Sequence, residues 1–160
     1  MLLGLAIFRP PAPYPVLSSD GAFQVTVPGS WTKRSDLHDE AELQVANPQQ
    51  ECYVVVLSEP KSDFQSDLTY HKHSDLTRQM IMESLKNGKE TAGPKEIEIN
   101  GLKAVQYEIR GVVDNLEVVY LHTTIDGKTR FHQVLAWTLP SKLTANRPVL
   151  ESVINSFREK

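Results

Sequence analysis

Histidine is the side chain best suited here to chemistry, since imidazole ligates transition metals and exchanges protons near neutral pH, and the chain has five. His71 and His73 flank Lys72. On a strand, positions i and i+2 share a face and could chelate one ion, but on a helix they diverge by about 200°. The surrounding pattern reads as helix, which sets His73 near Leu76 and Met80 and sends His71 elsewhere; no Asp or Glu stands at a spacing that completes a ligand set. His122 and His132 lie on the two arms of one expected hairpin. A two-residue turn gives them opposite parity and opposite faces, whereas a bulged, odd-length turn would bring them together as a metal or proton-transfer pair. His38 stands among charges and is expected at the surface. His71, His73, His122 and His132 are therefore the candidates for a metal site. Structural roles are the favoured reading, and no cofactor is expected.

The other reactive types add little. Cys52 heads an apolar run and reads as a small core residue, and a single cysteine excludes both an internal disulfide and a thiolate metal cluster. There is no G-x-S-x-G elbow, P-loop or G-x-G-x-x-G among the eight glycines, so phosphate-cradling loops are not expected. Asp36, Asp39, Glu40 and Glu42 cluster in a polar stretch that reads as a solvated loop. Trp31 follows Pro28-Gly29; exposed it could anchor a partner, but closing one end of the sheet core is the expected role.

The elements around these residues follow from periodicity and turn chemistry. Val16-Leu17 and Ala22–Val27 flank Asp20-Gly21, a hairpin signal, and Phe23, Val25 and Val27 fall on one face. Residues 41–46 alternate as a short strand. Cys52–Leu57 does not alternate, which predicts a strand covered on both faces. Asp67–Lys86 reads as a helix with an apolar stripe of Leu76, Met80, Ile81 and Leu85, stopped by Asn87-Gly88. A second helix begins at Asn146-Arg147-Pro148 and presents Val149, Leu150, Val153, Ile154 and Phe157. Between them, residues 95–98 and 102–109 join across Asn100-Gly101, and residues 115–125 and 128–139 across Asp126-Gly127. A two-residue loop at the latter pairs Leu116 with Trp137, Val118 with Leu135 and Tyr120 with Gln133. Strictly alternating βαβ units are absent. The fold class expected is α+β, an antiparallel sheet flanked by helices on both faces in an α/β/α sandwich.

At 160 residues the chain suits one core, and 40% apolar with 23% charged residues excludes a disordered chain. Seventeen basic and 20 acidic residues are spread without a basic stripe, so no nucleic acid is expected as partner. Residues 1–15 form an apolar and then proline-rich arm, and residues 16–160 a single domain. Met1–Phe8 is too short to span a bilayer but could be the core of a truncated leader, which would allow membrane association; a flexible arm is the alternative.

The segment Phe23-Gln24-Val25-Thr26-Val27-Pro28-Gly29-Ser30-Trp31 resembles the opening of PsbP-like domains and of the related DcrB and LpqN groups. Gly101-Leu102-Lys103-Ala104 resembles their hairpin strand, and Val153-Ile154-Asn155-Ser156-Phe157 their closing helix. The resemblance implies an antiparallel sheet between helices, in exported or membrane-anchored accessory or binding subunits. It carries over no functional residue, neither from the extrinsic photosystem subunit nor from the Ran-binding import factor of the same fold. The expectation is a non-enzymatic accessory domain in an extracytoplasmic compartment, a monomer or weak dimer, acting through sheet edges and loops on a protein partner of unknown identity. The rivals are a metal-dependent enzyme built on the four histidines, and a chaperone or lipid-binding module with an apolar groove.

Overall fold

The computed structural model describes Ile7 and residues 9–160. The apolar lead Met1–Phe8 therefore lies, apart from Ile7, outside the described residues. Strand β1 is Tyr14–Leu17, so the first strand starts two residues inside the expected arm; then follow β2 Phe23–Val27, β3 Thr32–Lys33, β4 Leu43–Asn47 and β5 Cys52–Pro60. Helix α1 is Tyr70–Ser84, and β6 Lys86–Ile99, β7 Leu102–Val113, β8 Leu116–Asp126 and β9 Arg130–Thr138 form a run of antiparallel hairpins. Helix α2 is Leu143–Asn155, and β10 is Arg158–Glu159.

The strands make two sheets rather than the one expected. Seven run in the order β3-β4-β5-β9-β8-β7-β6, and β1-β2-β10 form a small separate sheet. The hairpin at Asp20-Gly21 forms as read, with Val16 opposite Val25. After it the chain breaks at Pro28-Gly29, where Pro11 crosses so close that a Cβ on Gly29 would collide with its carbonyl. The small sheet and α2 together cover one face of the large sheet. Phe23, Val25, Leu43, Val54, Leu121, Val134, Leu150, Ile154 and Phe157 meet there in the main core. Helix α1 lies on the opposite face, over a much smaller apolar cluster of Leu85, Ile109 and Val118. The helices thus flank the large sheet on both sides, and the architecture is α+β.

Turn chemistry accounts for the hairpins. Asn100 and Gly101 both hold positive φ, 47° and 84°, as do Asp114 and Asn115 at 50° and 63°, the paired left-handed residues of two-residue turns that match strand twist. At Asp126-Gly127 the expected two-residue loop is replaced. Asp126 pairs with Phe131, Gly127 donates to the Arg130 carbonyl, and Tyr120, rather than Leu116, stands opposite Trp137. The longer turn is held from outside, because Asp126 accepts from Lys61 at 2.6 Å and Glu159 packs against Gly127. The register moves by an even number of residues, so side-chain parity is kept.

Both helices depart from their sequence reading. Thr69, whose hydroxyl accepts from the Lys72 amide, caps α1 three residues later than expected. Its buried face is His73, Ser74 and Arg78, while Leu76 and Met80 are 53% and 69% exposed. The expected apolar stripe therefore splits: Ile81 and Leu85 pack on the sheet, and Leu76 and Met80 do not. Helix α2 begins before Pro148, at Leu143, because residues 140–142 form a 3-10 turn that leads into it. At the edge, β6 carries three register shifts, Pro94 and the exposed Lys86, Lys89 and Lys95. Bulges, proline and lysine all oppose pairing with another strand, so this edge is blunted against strand addition.

Candidate functional site

The four candidate histidines are distributed over separate contacts. His71 lies half-exposed near the start of α1 and contacts Glu96 at 2.5 Å, beside the Tyr70 hydroxyl that donates to the same carboxylate. His73 is buried; its Nε2 donates to Glu59 at 3.0 Å and its ring stacks on Phe131. His122 is fully buried under α1, where Nε2 donates to the Gln133 amide oxygen at 2.8 Å and lies 3.2 Å from the Thr77 hydroxyl. His132 is on the other face, as the preserved parity requires. Among the described residues no group of three or more His, Cys, Asp or Glu is placed to hold a metal ion. His38 is exposed, and Cys52 is a core residue whose thiol burial pushes up to about 11.

His132 does belong to a chain of polar groups that sequence spacing conceals. The Ser58 hydroxyl donates to Nδ1 at 2.6 Å, and Nε2 donates to Glu159 at 2.7 Å, across separations of 74 and 27 residues. The residue types match a hydrolase relay, but the nitrogens are reversed, since a serine nucleophile pairs with Nε2 and the acid with Nδ1. The Ser58 amide already donates to the Glu42 carboxylate, which sets negative charge where an oxyanion would need donors. His132 is wedged between the rings of Phe23 and Phe157. Burial pushes this imidazole below its ordinary range against the pull of Glu159. The carboxyl of Glu159, which burial alone would raise, is held low by His132 and the Lys128 amide. The arrangement pins β10 to the sheet.

The layer under α1 is polar in an unusual degree. Arg78 lies 3.3 Å over the Tyr107 ring and pairs with Glu90 and Asp75. Of the six buried side-chain polar atoms without a protein partner among the described residues, five are here: His73 Nδ1, Ser74 Oγ, Arg78 Nε, His122 Nδ1 and Thr124 Oγ1. The sixth is the indole nitrogen of Trp31. That ring is 2% exposed and closes one end of the main core beside an open cleft of about 660 Å³, so it does not project as an anchor.

Beside α1 the same sheet face is open. Tyr53, Trp137 and Tyr120 stand opposite one another on β5, β9 and β8, with ring centroids 5.4 and 5.8 Å apart, and all three are half-buried. Leu57 and Leu135 extend the same patch, also half-buried. The unalternating β5 run is thus fully covered only at Cys52, Val54, Val55 and Val56; Tyr53 and Leu57 reach solvent. Helix α1 bounds the strip on one side. Leu76 and Met80 follow His73 by three and seven residues and share its flank, the one that reaches Glu59 of β5, whereas Arg78 on the other flank reaches β6 and β7. The loop of residues 34–40 bounds the other side, because the buried Gln44 amide accepts from the Leu37 and His38 amides and donates to the His38 carbonyl. The result is a shallow groove with an apolar floor and one apolar wall. The sequence signals were the aromatic residues themselves, but alternation alone does not say which half of a sheet face a helix leaves uncovered.

No family model matches the chain, and no curated protein matches it by sequence. Solved structures do match. Cyanobacterial PsbP (CyanoP) from Synechocystis sp. PCC 6803 aligns over 100% of this chain and 98% of its own at a TM-score of 0.70 and 12% identity. LpqN of Mycobacterium tuberculosis, involved in cell envelope biogenesis, aligns over 91% and 88% at 0.65 and 13% identity. PA94 of Pseudomonas aeruginosa, a protein of unknown function, aligns over 92% and 97% at 0.59 and 12% identity. At these identities the likeness is one of fold, and the fold is PsbP-like.

Proposed function

Given the PsbP-like fold and the uncovered strip on its main sheet, we propose that this chain is a non-enzymatic accessory or binding domain that acts on a protein partner outside the cytoplasm. The observation that carries the reading is the row Tyr53, Trp137 and Tyr120, only half-buried in the middle of a seven-stranded sheet rather than at its edge. Central strands are where a fold ordinarily buries apolar surface, so an apolar patch left open there marks an interaction site. The groove is shallow, which suits a protein surface better than an enclosed lipid chain. An extracytoplasmic setting draws support from the envelope role of LpqN. No helix among the described residues is long and apolar enough to cross a membrane.

The test is site-specific photo-crosslinking in the envelope fraction. A crosslinker replacing Trp137 should capture one protein, whereas the same group replacing Thr144, exposed on α2 on the far side, should not. Adding Leu135→Asp to the protein that carries the crosslinker at position 137 should abolish the capture. Equal capture from both positions, or turnover in a substrate screen that vanishes on losing Ser58 or His132, would defeat the reading.

A further inference from the structure

The dimensions and rim of the groove specify the kind of partner, and this inference rests on the reading of the groove as a protein-binding site. Strands lie about 4.8 Å apart, so the strip across β5, β9 and β8 spans roughly 10 Å between the outer strand axes. An α-helix with its side chains is about 10 to 12 Å across, which makes the strip one helix wide. Helix α1 already packs on the neighbouring half of the same face. An extended peptide laid on this floor would turn its own unpaired amides and carbonyls toward Tyr53, Leu135 and Trp137, and the strands beneath are already paired on both sides. A helix satisfies its own backbone and brings only side chains. The rim is acidic: Asp39 and Glu40 are exposed on the loop, Glu51 accepts from the Tyr53 hydroxyl, and Glu59 closes the end beside His73, while Arg34 is paired with Asp36.

We propose that the groove receives an amphipathic helix of a partner protein, lying alongside α1, with its apolar stripe on Tyr53, Leu135 and Trp137, its flank against Leu76 and Met80, and lysine or arginine facing the acidic rim. The bound helix would complete the helical layer that α1 covers only in part.

The probe is an 18-residue amidated Leu/Lys amphipathic peptide added to the full chain, with a Leu/Glu peptide of the same pattern and a Val/Lys peptide of strand periodicity as counterparts. Trp137 emission should shift to the blue and the Leu/Lys peptide should gain helical circular dichroism on binding. Affinity should fall at least tenfold for the Leu/Glu peptide and tenfold for Met80→Asp, a change at a 69% exposed position that the fold tolerates. Tighter binding of the Val/Lys peptide, or indifference to Met80→Asp, overturns the helix while leaving the groove as a site. If no peptide moves Trp137 emission, both the helix and the groove reading fall. Closure of the groove by a second copy, seen as a concentration-dependent dimer that Leu135→Asp dissolves, also overturns the proposal, as does a Trp137 response only to anionic phospholipid vesicles.

Discussion

His122 is a residue whose charge the fold cannot accept. Complete burial lowers its pKa from 6.5 to about 4, against the smaller opposing effect of the Gln133 hydrogen bond. Because the folded value lies below the unfolded one, the neutral ring contributes its full stability above pH 6.5, and that contribution is lost as pH falls toward 4. The difference amounts to about 3 kcal/mol over the window. Denaturant melts of wild type and His122→Asn at pH 7 and pH 4.5 should show a smaller acid loss in the variant by about 2 kcal/mol; equal losses would mean that other groups, the depressed carboxylates of Asp20, Glu108 and Glu159 among them, carry the acid sensitivity. Individual roles of this kind were only partly legible. Side-chain parity predicted that His122 and His132 face apart, but the link from Ser58 through His132 to Glu159 joins three distant segments and leaves no mark in local spacing.

At the scale of the element, α1 is inverted, with polar groups under it and Leu76 and Met80 outside. The apolar contact of α1 with the sheet is confined to a small cluster around Leu85, Ile109 and Val118. Helix α1 should therefore open locally, hinged on the apolar contact of Leu85 with Ile109 and Val118, before the sheet unfolds. Hydrogen exchange should find its amides at least tenfold less protected than those of β8 and β9. Thr124→Val removes one unpartnered hydroxyl at nearly constant shape and should raise α1 protection; identical protection across α1 and both strands would contradict the account. Periodicity in the sequence predicted a helix over residues 67–86, and one forms at Tyr70–Ser84. It could not say which stripe faces inward, because His73, Ser74, Thr77 and Arg78 are as regularly spaced as the apolar set, and His73, Thr77 and Arg78 find partners on β5, β8 and β6.

For the molecule as a whole, stability is concentrated on the α2 side. Phe157 is 0% exposed and meets Phe23 at 5.5 Å and His132 at 4.7 Å, where large sheet, small sheet and C-terminus converge. Phe157→Ala should cost about 3 to 5 kcal/mol by chemical denaturation, while Met80→Ala on the outer face of α1 should change stability by less than about 0.5 kcal/mol. What the sequence determined by itself was local: strand and helix content, the Asn100-Gly101 turn, opposite faces for His122 and His132, and an α+β class, all set by backbone preference and side-chain period within a few residues. The division into two sheets, the shifted β8–β9 register, the inward face of α1 and the open aromatic strip were decided by tertiary structure. Each depends on which distant surface arrives to cover a given face: Glu159 packs against Gly127 at the β8–β9 turn, Pro11 crosses Gly29, and α1 stops short of Tyr53 and Trp137. The groove exists because one helix is too narrow to cover seven strands, and no local pattern encodes that mismatch.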